Sequence, residues 1–272
     1  MIEIQNIGFS YSNKKPAVFD GFNLQLEQNN IYGLLGENGT GKSTLLYLMT
    51  GLLHPQGGNI RVDGMEARAR KPEMLESMYI VPETFELPPM RFMDYVKTYR
   101  PFYKHFSMEV LEKCMNEFQL PLTCNIRELS MGEKKKVLMG FALACNTRYL
   151  LMDEPTNGLD VSSKKQFRKL IASNMTDERT IVIATHQLHD VEQLLDHILI
   201  LKDSRLLLDK SVAELSEKYC FGLLPAELAE EDVVYSERTV QGDVGIWLRK
   251  PDDVETFVEL EMLFNAAVQN KL

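Results

Sequence analysis

The chain has no apolar run approaching the roughly 18 residues that a membrane-spanning helix needs, so no span is expected within it. Its N-terminus, Met1-Ile2-Glu3-Ile4-Gln5-Asn6, lacks a basic segment followed by an apolar one, and no signal peptide is expected. Basic charge is in deficit: 30 Lys and Arg stand against 39 Asp and Glu, a net charge of -9. That balance speaks against a broad nucleic-acid-binding face and against adsorption to anionic lipid by charge alone. Cysteine is scarce. Cys114, Cys124, Cys145 and Cys220 show no CxxC spacing and fit no zinc or disulfide framework, so free thiols in a reducing compartment are expected. These absences together place the chain in the cytosol and leave it without nucleic acid as a partner.

What is present reads as α/β. The 272 residues suit one large domain or one domain with a small appendage. Ile2-Glu3-Ile4 and Phe22-Asn23-Leu24-Gln25-Leu26 alternate like strands of an antiparallel sheet, with turns at Asn13–Pro16 and Gln28–Asn30. Tyr149–Met152, Thr180–Ala184 and Ile198–Leu201 are continuous apolar runs, the pattern of parallel strands buried on both faces. Between about Phe85 and Thr147 the pattern is helical, an insert within the α/β domain. After about Leu215 a hairpin turning at Gln241-Gly242-Asp243 and a closing helix over Val254–Val268 are expected, with Phe257, Leu260, Phe264 and Val268 on its core stripe. The expected division is therefore 1–215, with the helical part at about 85–147, and a small α+β extension at 216–272.

The strongest chemical motif is Gly36-Glu37-Asn38-Gly39-Thr40-Gly41-Lys42-Ser43, which satisfies G-x-x-x-x-G-K-[ST]. An apolar run, Ile31–Leu35, precedes it, and Thr44–Met49 begins a helix. Glycines let successive N–H groups turn inward around an anion, and the helix N-terminus adds partial positive charge. Lys42 can reach the β- and γ-phosphates, and the Ser43 hydroxyl can ligate Mg²⁺. A P-loop NTPase core that binds a nucleoside triphosphate is expected. Asp153 and Glu154 end another apolar strand. There Asp153 can hold the Mg²⁺ shell and Glu154 can polarise an attacking water.

Leu129-Ser130-Met131-Gly132-Glu133 lies 23 residues before Asp153, counted from Ser130. It resembles the LSGGQ signature of ABC ATPases. Asp153-Glu154-Pro155-Thr156-Asn157-Gly158-Leu159-Asp160 is similar to that family's Walker B and D-loop. His186 sits where the family places its switch histidine, and Tyr11 resembles its adenine-stacking aromatic, although Phe9 offers a second ring. The resemblance spans roughly residues 1–210. It implies a RecA-like core, ATP and Mg²⁺ as ligands, and P-loop contacts from Gly36, Asn38, Gly39, Thr40, Gly41, Lys42, Ser43 and Thr44. It also implies a head-to-tail dimer, of identical or related ABC ATPase chains, in which Ser130 and Gly132 complete the partner's site and Asp160 links the two sites. Hydrolysis would loosen that dimer through His186.

Some positions depart from the family pattern. Glu83 stands where the Q-loop usually carries Gln; it can still ligate Mg²⁺ but adds negative charge. Met131 and Glu133 replace Gly and Gln of the signature. Lys134-Lys135-Lys136 reads as a solvated helix face, or as added positive potential near the shared site. The resemblance further implies a separate membrane permease, most like those of the ABC-2 type, with this chain peripheral on the inner face of the cell membrane and export the expected direction. Phe85–Tyr95 is then a groove for a permease helix, or ordinary packing of the helical insert. The alternative is a soluble ABC ATPase without a permease. One such type assists iron–sulfur assembly, and its signature also continues Glu-Lys-Lys. Asp153-Glu154-Pro155-Thr156 looks more like a transporter.

Overall fold

The structure is a computed structural model that describes residues 1–272 except Asn13, Lys15 and Gln241. Of the turns expected at Asn13–Pro16 and Gln241–Asp243, these three residues lie outside the described ones; Gly242 and Asp243 already belong to the strand that follows, paired with Thr239 and Arg238. In chain order the strands are β1 (Ile2–Phe9), β2 (Phe19–Leu26), β3 (Ile31–Leu35), β4 (Gly57–Val62), β5 (Met65–Glu66), β6 (Met78–Val81), β7 (Tyr149–Asp153), β8 (Thr180–Thr185), β9 (His197–Lys202), β10 (Arg205–Ser211), β11 (Tyr219–Leu223), β12 (Val233–Thr239) and β13 (Gly242–Leu248). The helices are α1 (Lys42–Met49), α2 (Pro72–Glu76), α3 (Phe92–Tyr99), α4 (Met108–Glu117), α5 (Met131–Ala144), α6 (Val161–Ser173), α7 (Val212–Lys218) and α8 (Leu260–Val268).

The main sheet has the order β10-β9-β3-β8-β7-β6, and all its pairings are parallel except β9 with β10. Every residue of β3, β7 and β8 is buried. That accounts for their unbroken apolar runs: a strand covered on both faces has no solvent side to mark by alternation. The antiparallel sheet β2-β1-β4-β5 does have such a side, and β2 alternates buried and exposed residues along most of its length.

The insert between β6 and β7 is built from α3, α4 and α5. Ser107 caps α4, accepting from the Val110 N–H, and Ser130 with Glu133 forms a reciprocal capping box at the start of α5. These helices bury their own apolar cluster, which includes Phe92, Val96, Leu111, Val137 and Phe141.

Near the C-terminus β11, β13 and β12 form an antiparallel sheet. The closing helix differs from the expectation. It starts at Leu260, not Val254, and its buried face is Leu260, Met262, Leu263, Ala266 and Ala267. Phe257 is 56% exposed. The reason is local hydrogen bonding. Asp253 Oδ2 accepts from the Lys250 N–H, making a turn, and Thr256 Oγ1 accepts from the Phe221 N–H, tying this stretch to β11. Leu263 and Ala266 share one apolar cluster with Ile198, Ile200 and Val191 of the main body.

That shared core sets an expectation. Leu263→Ala should destabilise the whole chain by about 2–5 kcal/mol, seen in chemical denaturation as a shift of the single main transition. A separate early transition carrying the whole loss would mean that residues 216–272 fold on their own.

Candidate nucleotide-binding site

The carboxyl ends of β3, β8 and β7 lie side by side, with Leu35 opposite Thr185 and Ala184 opposite Asp153. In an open parallel sheet this is the edge where ligands collect. The loop leaving β3 runs from Gly36 to Gly41 and enters α1 at Lys42. A Cβ on Gly36 would stand 2.6 Å from the Leu201 carbonyl oxygen, so the close approach admits no side chain. Gly41, at φ 103, turns the chain into α1 in the left-handed region, and no side chain caps the helix there. The first-turn N–H groups thus remain open to an anion. Glu37, Asn38 and Gly39 are exposed on this loop and Thr40 is half-buried.

Lys42 is 5% exposed. Its ammonium donates to the carbonyls of Gly36 (2.7 Å) and Glu37 (3.0 Å), bridging the loop, and lies 3.7 Å from Glu154 Oε1. Burial lowers its pKa, opposed by the charges of Glu154 and Asp153. Asp153, 1% exposed, has one carboxylate oxygen, Oδ1, without a hydrogen-bond partner among the described residues. Burial raises its pKa, while a hydrogen bond from Ser43 pulls it down.

Glu154 is held from several sides. Its backbone takes a left-handed conformation, φ 44, and its N–H donates to the Ala184 carbonyl at 2.8 Å. Thr185 Oγ1 donates to Oε2 at 2.8 Å. Oε1 accepts from the His186 N–H at 3.0 Å and sits 2.7 Å from His186 Nδ1. With Glu154 as a carboxylate, which only accepts, Nδ1 carries the hydrogen, which leaves Nε2 as the other ring nitrogen. Tyr11 is 56% exposed and its hydroxyl lies 2.9 Å from Thr44 Oγ1, beside the loop. Phe9 packs edge-on against it but is buried in the N-terminal sheet, which separates the two rings that sequence left open.

The remaining expected residues make contacts of their own, and Glu83 still acts electrostatically on Lys42 and Asp153. Ser130 Oγ donates to Glu133 Oε2 at 2.7 Å, so the capping box engages it. Gly132 approaches Gly158, and a Cβ there would be 3.6 Å from the Gly158 carbonyl oxygen. Both Gly132 and Gly158 line a cavity of about 250 Å³ with Glu83, Thr84, Phe85, Met131, Lys135 and Asn157. Asp160 caps α6: its carboxylate accepts from the Ser163 N–H (2.8 Å) and hydroxyl (3.0 Å). Glu83 accepts from Asn157 Nδ2 at 3.2 Å.

The structure corrects one expectation about this region. Lys135 does not belong to a solvated face. It is 5% exposed, and its ammonium donates to the Glu154 carbonyl (2.7 Å) and the Asn157 carbonyl (2.9 Å). Helical spacing carried a signal: Lys135 falls three and four residues before Leu138 and Met139, both buried. Thr185 was also overlooked, as the last residue of an apolar run.

A model of the ABC transporter family matches residues 19–157. The chain belongs to the ABC transporter family. Its activity is that of an ATP-binding subunit that hydrolyses ATP. The lantibiotic transport ATP-binding protein SrtF of Streptococcus pyogenes is 30% identical over 223 residues, covering 77% of this chain and 90% of that one. The Nod factor export ATP-binding protein I of Burkholderia thailandensis is 28% identical over 255 residues, covering 88% and 82%. Among solved structures, an ATP-binding cassette in a dimeric post-hydrolysis state with ADP and Pi superposes with a TM-score of 0.68. That superposition covers 78% of this chain and 98% of the other at 22% identity. Among the described residues of this ABC subunit no helix is long and apolar enough to cross a membrane.

The buried, partly unpaired carboxylate of Asp153 makes a measurable claim. Burial penalises its charged form, so Asp153→Asn should raise the thermal unfolding midpoint of the nucleotide-free protein near pH 7. The folded pKa is raised, so the penalty is full above it and fades as pH falls toward the ordinary carboxylate range. The gain from Asp153→Asn should fade with it. An unchanged midpoint near pH 7 would contradict this account.

Proposed function

We propose that this chain energises export through a separate membrane permease and works as a dimer on the inner face of the cell membrane. One observation carries the dimer. The P-loop with Glu154 and His186 lies at one cluster of strand ends, while the start of α5, at Met131 and Gly132 next to Ser130, opens on a cavity that no P-loop residue lines. Each chain then offers two halves of different sites. Head-to-tail pairing, with an identical or a related chain, sets the Ser130 end of one against the P-loop of the other. Glu133 to Leu143 continue as a helix behind Ser130 and Gly132, so a helix N-terminus faces the partner's phosphates.

The P-loop residues Gly36 to Ser43 bind the phosphates through backbone N–H groups and Lys42, and Tyr11 stacks on the base. The residues present fit Mg²⁺: the hydroxyl of Ser43, the unpaired oxygen of Asp153 and Glu83 are all hard oxygen donors. Mg²⁺ supplies neutralisation of charge on the β- and γ-phosphates. Glu154, oriented by Thr185 and His186, polarises the attacking water as general base, and His186 reaches toward the γ-phosphate through Nε2. Asp160 carries changes between the two sites at the start of α6.

For the permease, the supporting feature is a cavity of about 700 Å³ between β6 and the helical insert. Its walls include Tyr79, Tyr95, Tyr99, Phe102, Tyr103 and Phe141. Of the stretch Phe85–Tyr95, where a groove was expected, only Tyr95 lines it. An aromatic trough of this kind takes an amphipathic helix. The Nod factor and lantibiotic relatives, named for export and transport, favour movement of a substrate over a soluble role.

Glu154→Gln removes the base but keeps the shape. It should bind ATP, stop hydrolysis and give an ATP-bound dimer in size-exclusion chromatography with ATP and Mg²⁺; a monomer under saturating nucleotide would sink the dimer reading. Glu83→Gln should preserve ATP hydrolysis. Its complete loss with the fold intact would remove Glu83 from its assigned role as a replaceable Mg²⁺ ligand.

A further inference from the structure

We infer that Lys135 is a positioning residue for Glu154: from inside α5 it pins the main chain on which the carboxylate stands. The inference rests on Glu154 acting as the base, and adds a residue that the family pattern did not point to.

The geometry is specific. Two of the three ammonium donors are used on main-chain carbonyls of one turn, Glu154 at 2.7 Å and Asn157 at 2.9 Å. A buried charge keeps its place only when its donors are satisfied. Glu154 meanwhile holds φ 44, a conformation that a residue with a Cβ adopts only when its surroundings impose it. Its N–H is fixed by Ala184 of β8, and its C=O accepts from Lys135 of α5 at 2.7 Å and, at a longer 3.2 Å, from the Asn157 N–H of its own turn, so Lys135 is the anchor from outside that turn. With both peptide groups held, the side chain is delivered to Thr185 and His186. Removing one anchor frees the backbone to leave the left-handed region and swing the carboxylate away.

The charge around Lys135 matches this placement. Glu83, Glu154 and Asp153 all act on it electrostatically, in that order of strength, against the cost of burial. Asn157 extends the link: its carbonyl accepts from Lys135 and its side-chain amide donates to Glu83 Oε1. Lys135 therefore joins the helix bearing Ser130 and Gly132, the turn after β7 and the Glu83 segment. A Lys135 role in packing alone would have no reason to touch the rate of the chemical step apart from nucleotide binding.

The test is steady-state ATPase kinetics of the full chain, with thermal unfolding as a check of folding. Lys135→Met keeps the apolar stem and loses the donors. It should lower kcat by about tenfold or more, with the roughly 10²–10⁴ that general-base catalysis contributes as the ceiling, and leave KM for ATP within about twofold of the original. Lys135→Gln keeps an uncharged amide NH₂ as donor and should fall between. A kcat within about twofold in folded Lys135→Met overturns the inference, as does a loss shared equally by kcat and KM. If Lys135→Met does not fold, Lys135→Gln decides: lowered kcat at unchanged KM supports the role, and original values of both overturn it. An original chain without ATPase activity, or a fully active Glu154→Gln, would instead overturn the base assignment. Normal behaviour of those two beside an unaffected Lys135→Met would overturn only Lys135.

Discussion

Strand β8 lies between β3 and β7, and the site depends on that placement. The P-loop leaves β3 and the carboxylates end β7, so the two are separated by a whole strand. Parallel pairing on both sides of β8 aligns the three carboxyl ends. Thr185 and His186, at the end of the middle strand, then bridge to Glu154, while Lys42 reaches it from the other side. Neither β3 nor β7 could hold this arrangement without the strand between them. The complete burial of all three strands makes it rigid, because a close-packed interior does not let strand ends drift.

Charge is concentrated at that edge. Lys42, Lys135, Asp153 and Glu154 are each buried, against the usual habit of such residues. Burial works against the charged forms of both lysines and of Asp153; attraction between opposite charges, main-chain hydrogen bonds to the lysines and the Ser43 hydrogen bond to Asp153 offset it. The edge is thus held in a state that a phosphate-bearing ligand improves at Lys42, whose ammonium now turns to carbonyls of its own loop. A site strained toward its ligand in this way is less stable empty than an apolar edge would be.

Much of this was legible in the sequence, for physical reasons. Strands buried on both faces write themselves as apolar runs, and β7, β8 and β9 were found where such runs occur. Glycines that a close approach demands, as at Gly36, leave a spacing that motifs capture. Legibility ended where one residue type serves two environments. Lys135 stands in a row of three lysines, and a charge run reads as solvent-facing until the carbonyls that receive it are seen. The start of α8 was misplaced because a hydrogen bond from a distant strand, Phe221 to Thr256, holds an apolar stretch extended. The aromatic trough draws on β6, α3 and α5 together with the turn at Arg100–Phe102, a convergence that no local window contains.

Helix α5 touches every part of this arrangement. It is 14 residues long, hence about 21 Å from end to end. Ser130 caps one tip, Lys135 holds the Glu154 turn one and a half turns along, and Phe141 forms part of the trough wall near the other tip. Because α5 is also buried continuously from Val137 to Ala144, its packed part cannot shift without the core around it, and the Ser130 tip, the Glu154 turn and the trough wall share one stiff element.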